Sequence, residues 1–201
     1  SSRVFTSEST VSDKIWKMYL SDEKPYSLDL AYGLGNANID LSGLAVKNLK
    51  INTASADVLI GYFNGIENLV SMDTLRIKVD LGSVQTKNIS LAKTKYIITD
   101  VGFGNVTLDF GSQSVAGNVV KGSVGAGNLV VVLPRHEQVP VLVKVKDSWL
   151  CSVRMPSSIQ KTGANIYTNE AYRRDNANAL QFDLDVSMGN IVFKQVSAHG
   201  H

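Results

Sequence analysis

The sequence is short of several residue types, and each shortage excludes a class of protein. Cys151 is the only cysteine among 201 residues, which excludes an internal disulfide and a paired-cysteine metal or redox site. The charge is nearly balanced, with 20 basic and 18 acidic side chains spread along the chain. An electrostatic nucleic-acid binder would cluster its lysine and arginine, so we expect no nucleic-acid partner.

Long apolar runs are also absent, so we expect neither a membrane-spanning segment nor a signal peptide in this chain. A signal or anchor upstream of Ser1 stays open, and any membrane attachment would come through segments outside this sequence. Aromatic residues make up only 7% of the chain, which leaves a core of valine, isoleucine and leucine. Those side chains pack well on pleated strands.

What the sequence does contain is a repeated pattern of short strands and tight turns after Pro25. Apolar and polar residues alternate in each run, as between Leu75 and Leu81. Corresponding turn positions are 21, 26, 22 and 23 residues apart: Asn36, Asp57, Ser83, Asn105 and Asn128. A period in the twenties with two strands per unit predicts an all-β fold of stacked short strands, such as a β-solenoid.

The turns recur as Gly-x-Gly-Asn or a close variant. Glycine reaches positive φ at no steric cost, and asparagine or aspartate tolerates left-handed geometry while bonding its own backbone. We predict structural turn roles for thirteen residues: Gly33, Gly35, Asn36, Asp57, Gly82, Gly102, Gly104, Asn105, Gly125, Gly127, Asn128, Gly189 and Asn190. A dinucleotide-binding loop would need a third glycine and a following helix, whereas here a strand pattern follows.

The pattern divides the chain into an N-terminal arm over 1–25, a single repetitive all-β domain over 26–196 and a tail over 197–201. Apolar residues with helical spacing follow Ser12, so the arm is predicted as a short helix or an irregular segment. The less regular stretch over 156–178 is predicted as a hairpin or as a loop with one helical turn.

Two further segments carry structural predictions. The run from Leu129 to Leu133 is apolar on both faces, which predicts a strand covered on both sides, by the same domain or by a partner subunit. Cys151 follows Ser148-Trp149-Leu150 and is interpreted as a small strand residue rather than a nucleophile, since no histidine lies near it in sequence.

A carbohydrate-acting β-solenoid would need paired carboxylates, or carboxylates with a cationic base, on one outer face. The candidates are aspartates at outward positions of their runs: Asp40, Asp80, Asp100 and Asp109. Arg76 and Lys78 share the wet face with Asp80. Because outward charges also keep strands soluble and protect sheet edges, we predict no catalytic residue. Convergence of these carboxylates with Trp149 in one groove would instead favour the enzyme.

Metal and modification sites have weak signals. His136-Glu137 lies in an exposed-looking connection, and His199 and His201 lie in the tail without a third ligand nearby, so we predict neither a metal site nor a cofactor. Asn88 and Asn105 begin sequons for glycosylation, although Asn105 already has a predicted turn role.

Four segments carry a family resemblance: Leu28-Asp-Leu-Ala-Tyr-Gly-Leu-Gly-Asn36, Ile39-Asp-Leu-Ser-Gly-Leu44, Leu49-Lys-Ile-Asn-Thr-Ala-Ser-Ala-Asp57-Val-Leu-Ile60 and Phe182-Asp-Leu-Asp-Val-Ser-Met-Gly-Asn-Ile191. They resemble the bacterial toast-rack domains, which include the C-terminal domain of the LiaF-like cell-wall-active antibiotic response proteins and the adhesin-like envelope proteins. The resemblance covers about residues 26–195 and places Phe182–Ile191 in the last rung. It implies a toast-rack fold and no catalytic residues.

The sequence and the resemblance together predict a non-enzymatic module of the bacterial cell envelope, periplasmic, extracellular or membrane-associated. It would act as a scaffold or bind a protein partner, or self-associate, and the LiaF-like members suggest envelope-stress signalling. The alternative is a carbohydrate-binding or carbohydrate-acting β-solenoid.

Overall fold

The computed structural model describes residues 17–112, 117–134, 139–173 and 178–195. Within these ranges the chain forms sixteen strands, one 3-10 turn over Ile89–Ala92 and no α-helix. The strands are β1 (Tyr26–Tyr32), β2 (Asn36–Asp40), β3 (Val46–Thr53), β4 (Asp57–Gly61), β5 (Thr74–Val79), β6 (Ser83–Lys87), β7 (Tyr96–Val101), β8 (Asn105–Asp109), β9 (Val119–Val124), β10 (Asn128–Leu133), β11 (Val141–Lys146), β12 (Ser152–Arg154), β13 (Ile159–Gly163), β14 (Ile166–Asn169), β15 (Leu180–Val186) and β16 (Asn190–Gln195).

The strands form two facing sheets. A nine-stranded sheet has the order β1-β3-β5-β7-β9-β15-β11-β14-β13, and a seven-stranded sheet has the order β2-β4-β6-β8-β10-β16-β12. A rung is one strand of the first sheet, the corner after it and the next strand of the chain in the second sheet. Neighbouring rungs pair in parallel, as Leu49 with Leu75 and Val58 with Val84. The prediction of an all-β fold of stacked strands is confirmed.

The core lies between the sheets because the inward positions of successive strands are aliphatic. In β5, Leu75, Ile77 and Val79 are 3%, 0% and 0% exposed, while Arg76 and Lys78 are exposed on the other side of the strand. This strict alternation fixes which face of the strand is buried, since a slip of one residue would turn every apolar side chain to water.

The order of rungs in the stack differs from their order in the chain at the C-terminal end. β11 and β12 form the outermost rung, and the later strands β15 and β16 lie between it and the rung of β9 and β10. Phe182 of β15 packs edge-to-face on Phe110 and Phe193, with ring centroids 6.0 and 5.0 Å apart. The expectation that Phe182–Ile191 lies in the last rung is therefore wrong: the segment occupies the last rung but one.

The stretch over 156–178 contains a hairpin, one of its two predicted forms. β13 pairs antiparallel with β14, and β14 pairs antiparallel with β11. The hairpin continues the nine-stranded sheet beyond the outermost rung. As a result, the inward side chains Val141, Val143 and Val145 of β11 are 4%, 0% and 2% exposed.

The arm shows no helix in its described part, residues 17–25, where Met18 and Tyr19 are exposed. This part has the irregular form, the other of the two predictions. Residues 1–16 and the tail over 197–201 lie outside the described residues.

Two predictions about the C-terminal half have different outcomes. Val130 and Val132, on the outer face of β10, are half-buried, because no further layer of described residues covers that face. Cover by a partner subunit, the other alternative for the run from Leu129 to Leu133, stays a prediction. The prediction that Cys151 lies in a strand is wrong. Cys151 precedes β12 instead of lying in a strand, since the chain turns at Ser148, whose carbonyl oxygen accepts a hydrogen bond from the Cys151 thiol at 3.1 Å.

Candidate functional site

The predicted turn residues all lie along one edge of the stack, called here the corner edge, where the chain passes from the nine-stranded to the seven-stranded sheet. The residues that begin strands of the seven-stranded sheet are in register from rung to rung: Asn36, Asp57, Ser83, Asn105, Asn128 and Asn190. The predicted glycines precede them in the same corners: Gly33, Gly35, Gly82, Gly102, Gly104, Gly125, Gly127 and Gly189.

Close approach of neighbouring rungs explains most of the corner glycines. A methyl group added to Gly82, Gly104 or Gly127 would lie 2.1, 2.3 or 2.2 Å from a carbonyl oxygen of the preceding rung. Of the corner glycines, only Gly35 has a positive φ, 101°. The expectation that positive φ requires these glycines is therefore wrong except at Gly35. Adjacent strands are about 4.8 Å apart, which leaves no room for a side chain pointing along the stack.

The asparagines bond each other across rungs, a contact that the sequence analysis missed. Asn128 donates from Nδ2 to Oδ1 of Asn105 at 2.7 Å, and Asn190 donates from Nδ2 to Oδ1 of Asn128 at 2.8 Å. In the rung next to Asn105, the Ser83 hydroxyl donates to the carboxylate of Asp57, which lies in the following rung towards the N-terminal end, at 2.6 Å. Amide side chains stack in such ladders when identical positions of successive rungs align. The recurrence of asparagine at one position of the repeat is the sequence signal that could have predicted this ladder.

Replacing Asn128 by alanine removes both of its ladder contacts, and we expect a loss of about 1–2 kcal/mol in the free energy of unfolding. Urea denaturation measures the loss. Alanine at Gln85, an exposed outward residue of β6, is the control and should change stability by less than about 0.5 kcal/mol. An Asn128→Ala variant as stable as the control would show that the ladder contributes nothing.

The middle residues of the corners form an exposed apolar row. Leu34, Leu81, Phe103 and Met188 are 84%, 63%, 72% and 57% exposed. Backbone hydrogen bonds hold successive corners together, as from the Phe103 amide to the Asp80 carbonyl at 2.8 Å.

The row continues into the outermost rung with two exposed residues, Leu150 at 49% and Trp149 at 90%. Leu150 precedes the first residue of β12 by two positions, as Met188 precedes the first residue of β16, and those first residues, Ser152 and Asn190, pair with each other. The apolar ridge consists of Leu34, Leu81, Phe103, Met188, Trp149 and Leu150. Small residues, Ser55 and Ala126, occupy the corresponding positions of the other rungs.

The candidate carboxylates do not all lie on one surface of the molecule. Asp100 is on the outer face of the nine-stranded sheet and Asp109 on the outer face of the seven-stranded sheet, so the core separates them. Asp80 lies in a corner, 3.7 Å from Lys78, and Lys78 pairs across strands with Asp100, so this lysine lies beside both carboxylates. Asp40 accepts hydrogen bonds from the Ser42 amide and the Asn64 side chain, which lock the loop after β2. These four aspartates therefore do not form one acid–base site with Trp149.

The metal, cavity and glycosylation candidates have separate outcomes. His136, Glu137, His199 and His201 lie outside the described residues, and the described part of the chain holds no cluster of three metal-ligating side chains. A cavity of about 230 Å³ lies under the β13–β14 hairpin, and Glu170 is the only acidic residue among its described lining. The amide nitrogen of Asn88, the atom that a glycan would modify, donates to the Tyr62 carbonyl at 3.0 Å and so already has a structural contact.

The shifted pKa values belong to residues that are not part of the ridge. Burial raises the pKa of the Tyr62 hydroxyl, which is 1% exposed, and also raises that of Tyr32. A hydrogen bond and ion pair with Lys95, at 2.9 Å, lower the pKa of Asp73. The ridge itself is uncharged, so its contacts with another molecule would be apolar.

Comparison with known proteins identifies a fold. No family model matches the chain, and no curated protein is significantly similar in sequence. The crystal structure of a putative cell adhesion protein from Clostridium sporogenes ATCC 15579 has a TM-score of 0.50 and 18% sequence identity to this chain, over 87% of this chain and 93% of that one. At this identity the likeness shows a shared fold, and the toast-rack and LiaF-like assignment stays a prediction. The four-residue 3-10 turn is the only helical segment in the described ranges, so no helix there could span a bilayer.

Proposed function

We propose that this chain is a non-enzymatic module of the bacterial cell envelope that holds a protein partner along the apolar ridge. The ridge is the observation that carries the proposal. Exposed apolar patches on soluble proteins mark interaction sites, and aromatic anchors supply most of the binding energy at protein interfaces. Phe103 and Trp149, at 72% and 90% exposure, are the anchors here.

The rungs beneath the ridge make it a preorganised surface. Leu81 and Phe103 are one rung apart, about 4.8 Å along the stack, whereas Leu34 is two rungs from Leu81 and Met188 is two rungs from Phe103. The corner glycines and the asparagine ladder fix those spacings. Because the ridge is already ordered, binding of a partner costs this chain little conformational entropy, which favours association.

The envelope setting and the absence of catalysis belong to the proposal. The neighbour of similar fold is described as a putative cell adhesion protein, which supports an extracellular or envelope location. The resemblance to LiaF-like proteins supports envelope-stress signalling as the setting. Asp80 and Asp100 share a face with Lys78 between them. Exposed charges of opposite sign on an outer strand face keep a sheet soluble, so we favour a binding role over a carbohydrate-acting one.

Photo-crosslinking tests the ridge directly. The chain is prepared with benzoyl-phenylalanine in place of Phe103 and added to envelopes of the source bacterium. We expect it to crosslink to one protein, and an excess of the unlabelled chain should reduce that crosslinking by competition. The double variant Leu81→Ser, Phe103→Ser should compete at least tenfold less well, because two apolar contacts are lost. Its stability should be unchanged, since both side chains are exposed.

The matched control carries the same crosslinker at position 96, since Tyr96 is 49% exposed on the outer face of β7, away from the ridge. Equal crosslinking from positions 96 and 103 would contradict the proposal. Crosslinks confined to glycans would favour the carbohydrate-binding alternative instead.

A further inference from the structure

The N-terminal end of the stack exposes part of its core. β1 and β2 each pair with one other described strand, so each has one free hydrogen-bonding edge. Their inward side chains are only half-buried: Leu28, Leu30, Tyr32, Ala37 and Ile39. In the next rung, the corresponding Leu49, Ile51, Val58 and Ile60 are between 0% and 2% exposed.

The opposite end differs, because the β13–β14 hairpin continues the nine-stranded sheet there. The N-terminal end also lacks the usual protection of a sheet edge. β1 contains neither lysine nor proline, and after a register shift between Tyr26 and Ser27 its residues alternate regularly between inward and outward positions. A long, regular apolar edge of this kind is a template for pairing with another strand.

We infer that the open end of β1 and β2 pairs with the same end of a second copy of this chain. The occupant must present two strands about 10 Å apart with apolar side chains between them. A second copy of this end meets that requirement. Seven residues in β1 and five in β2, at about 3.3 Å each and about 10 Å per sheet, give a footprint of about 400 Å² per copy. The total, about 800 Å², is below the size of a standard stable interface and fits a weak, reversible dimer.

A single twofold axis satisfies the register in both sheets. β1 and β2 run in opposite directions from their shared corner, so Leu30 and Asn38 lie at the same distance from it. An axis through these two residues makes β1 antiparallel to the β1 of the second copy, and β2 antiparallel to its β2.

In this register the two copies are complementary. On the inner face of the sheets, Leu28 lies opposite Tyr32 and Ala37 opposite Ile39, each residue of a pair coming from a different copy. On the outer face, Asn36 lies opposite Asp40, so an amide donor meets a carboxylate. Asp29 lies opposite Ala31, so no two carboxylates face each other.

The dimer does not depend on the proposed function of the ridge, because it uses the end of the stack rather than the corner edge. The twofold axis places the two ridges on opposite edges of one continuous stack. A dimer would therefore offer two partner sites that face away from each other.

Charge at position 38 tests the dimer. In the full chain, Asn38→Asp places two carboxylates across the axis, and Asn38→Lys places two ammonium groups there. We expect each variant to raise the dimer dissociation constant at least tenfold in sedimentation velocity, and an equimolar mixture of the two to restore association. Rescue by mixing distinguishes the interface from a folding defect, because destabilised chains do not repair each other.

Asn52→Asp is the matched control, since Asn52 is an outward residue of β3, one rung away from the edge. It should leave association unchanged. The inference is overturned if the full chain is monomeric at about 100 μM, or if Asn38→Asp associates as wild type does. It is also overturned if dimers form only after removal of residues 1–20, which would show that the chain's own N-terminal segment occupies the end.

Discussion

Replacing Gly104 by alanine is expected to lower the free energy of unfolding by about 3 kcal/mol. The added methyl group would lie 2.3 Å from the Gly82 carbonyl oxygen and 2.4 Å from Cγ1 of Val79. Relief requires either the backbone of a neighbouring rung or a buried side chain to move, and overpacking of this kind costs about 1–3 kcal/mol or more. Urea denaturation with the linear extrapolation measures the change.

Gly33→Ala is the matched control in the first corner, where an added methyl group meets nothing within 4 Å. Its φ is not positive, so alanine should leave stability unchanged or raise it by up to about 1 kcal/mol through loss of unfolded-state entropy. If Gly104→Ala were as stable as Gly33→Ala, contact between rungs could not be the reason for glycine at position 104.

Replacing Phe182 by alanine is expected to cost about 3–5 kcal/mol, the usual loss for a fully buried phenylalanine. Phe182 is 1% exposed and joins the rings of Phe110 and Phe193, which come from different parts of the chain. Its loss would leave a cavity within the interposed rung of β15 and β16. Thermal and urea unfolding should both show the effect.

Asp183→Ala provides the control for that rung, because Asp183 is the next residue of β15 and is exposed on the outer face. Its change should stay within about 0.5 kcal/mol. A small effect of Phe182→Ala would contradict the burial of β15 between the rungs of β9 and β11.

Much of the fold could be predicted from local pattern. Alternation with period two, as in Leu75 to Val79, decides which side chains face the core, and the corners between runs are marked by glycine and asparagine. These features are local in sequence, so they do not depend on how distant segments meet. The hairpin within 156–178 also forms between strands that are close in sequence, which is why a hairpin is one of the two forms that the sequence predicts there.

The candidate site was only partly predictable. The sequence pattern predicts that the corner residues turn the chain, but contacts between rungs explain Gly104 and Asn128 better. The ridge was missed, although an apolar residue between two turn residues at Leu34 and Phe103 was a usable signal. Its exposure depends on the corners of different rungs being aligned, which no single repeat reveals.

The division of this protein into stacked β units follows from its sequence, because each unit carries its own alternation and its own corner. The tertiary structure alone decided the order of the rungs, with β15 and β16 inserted before β11 and β12. It also decided the contacts along the stack and the open end at β1 and β2. All of these depend on which strands become neighbours, and the best partner for an aliphatic strand is set by packing across the whole core rather than by residues nearby in the chain.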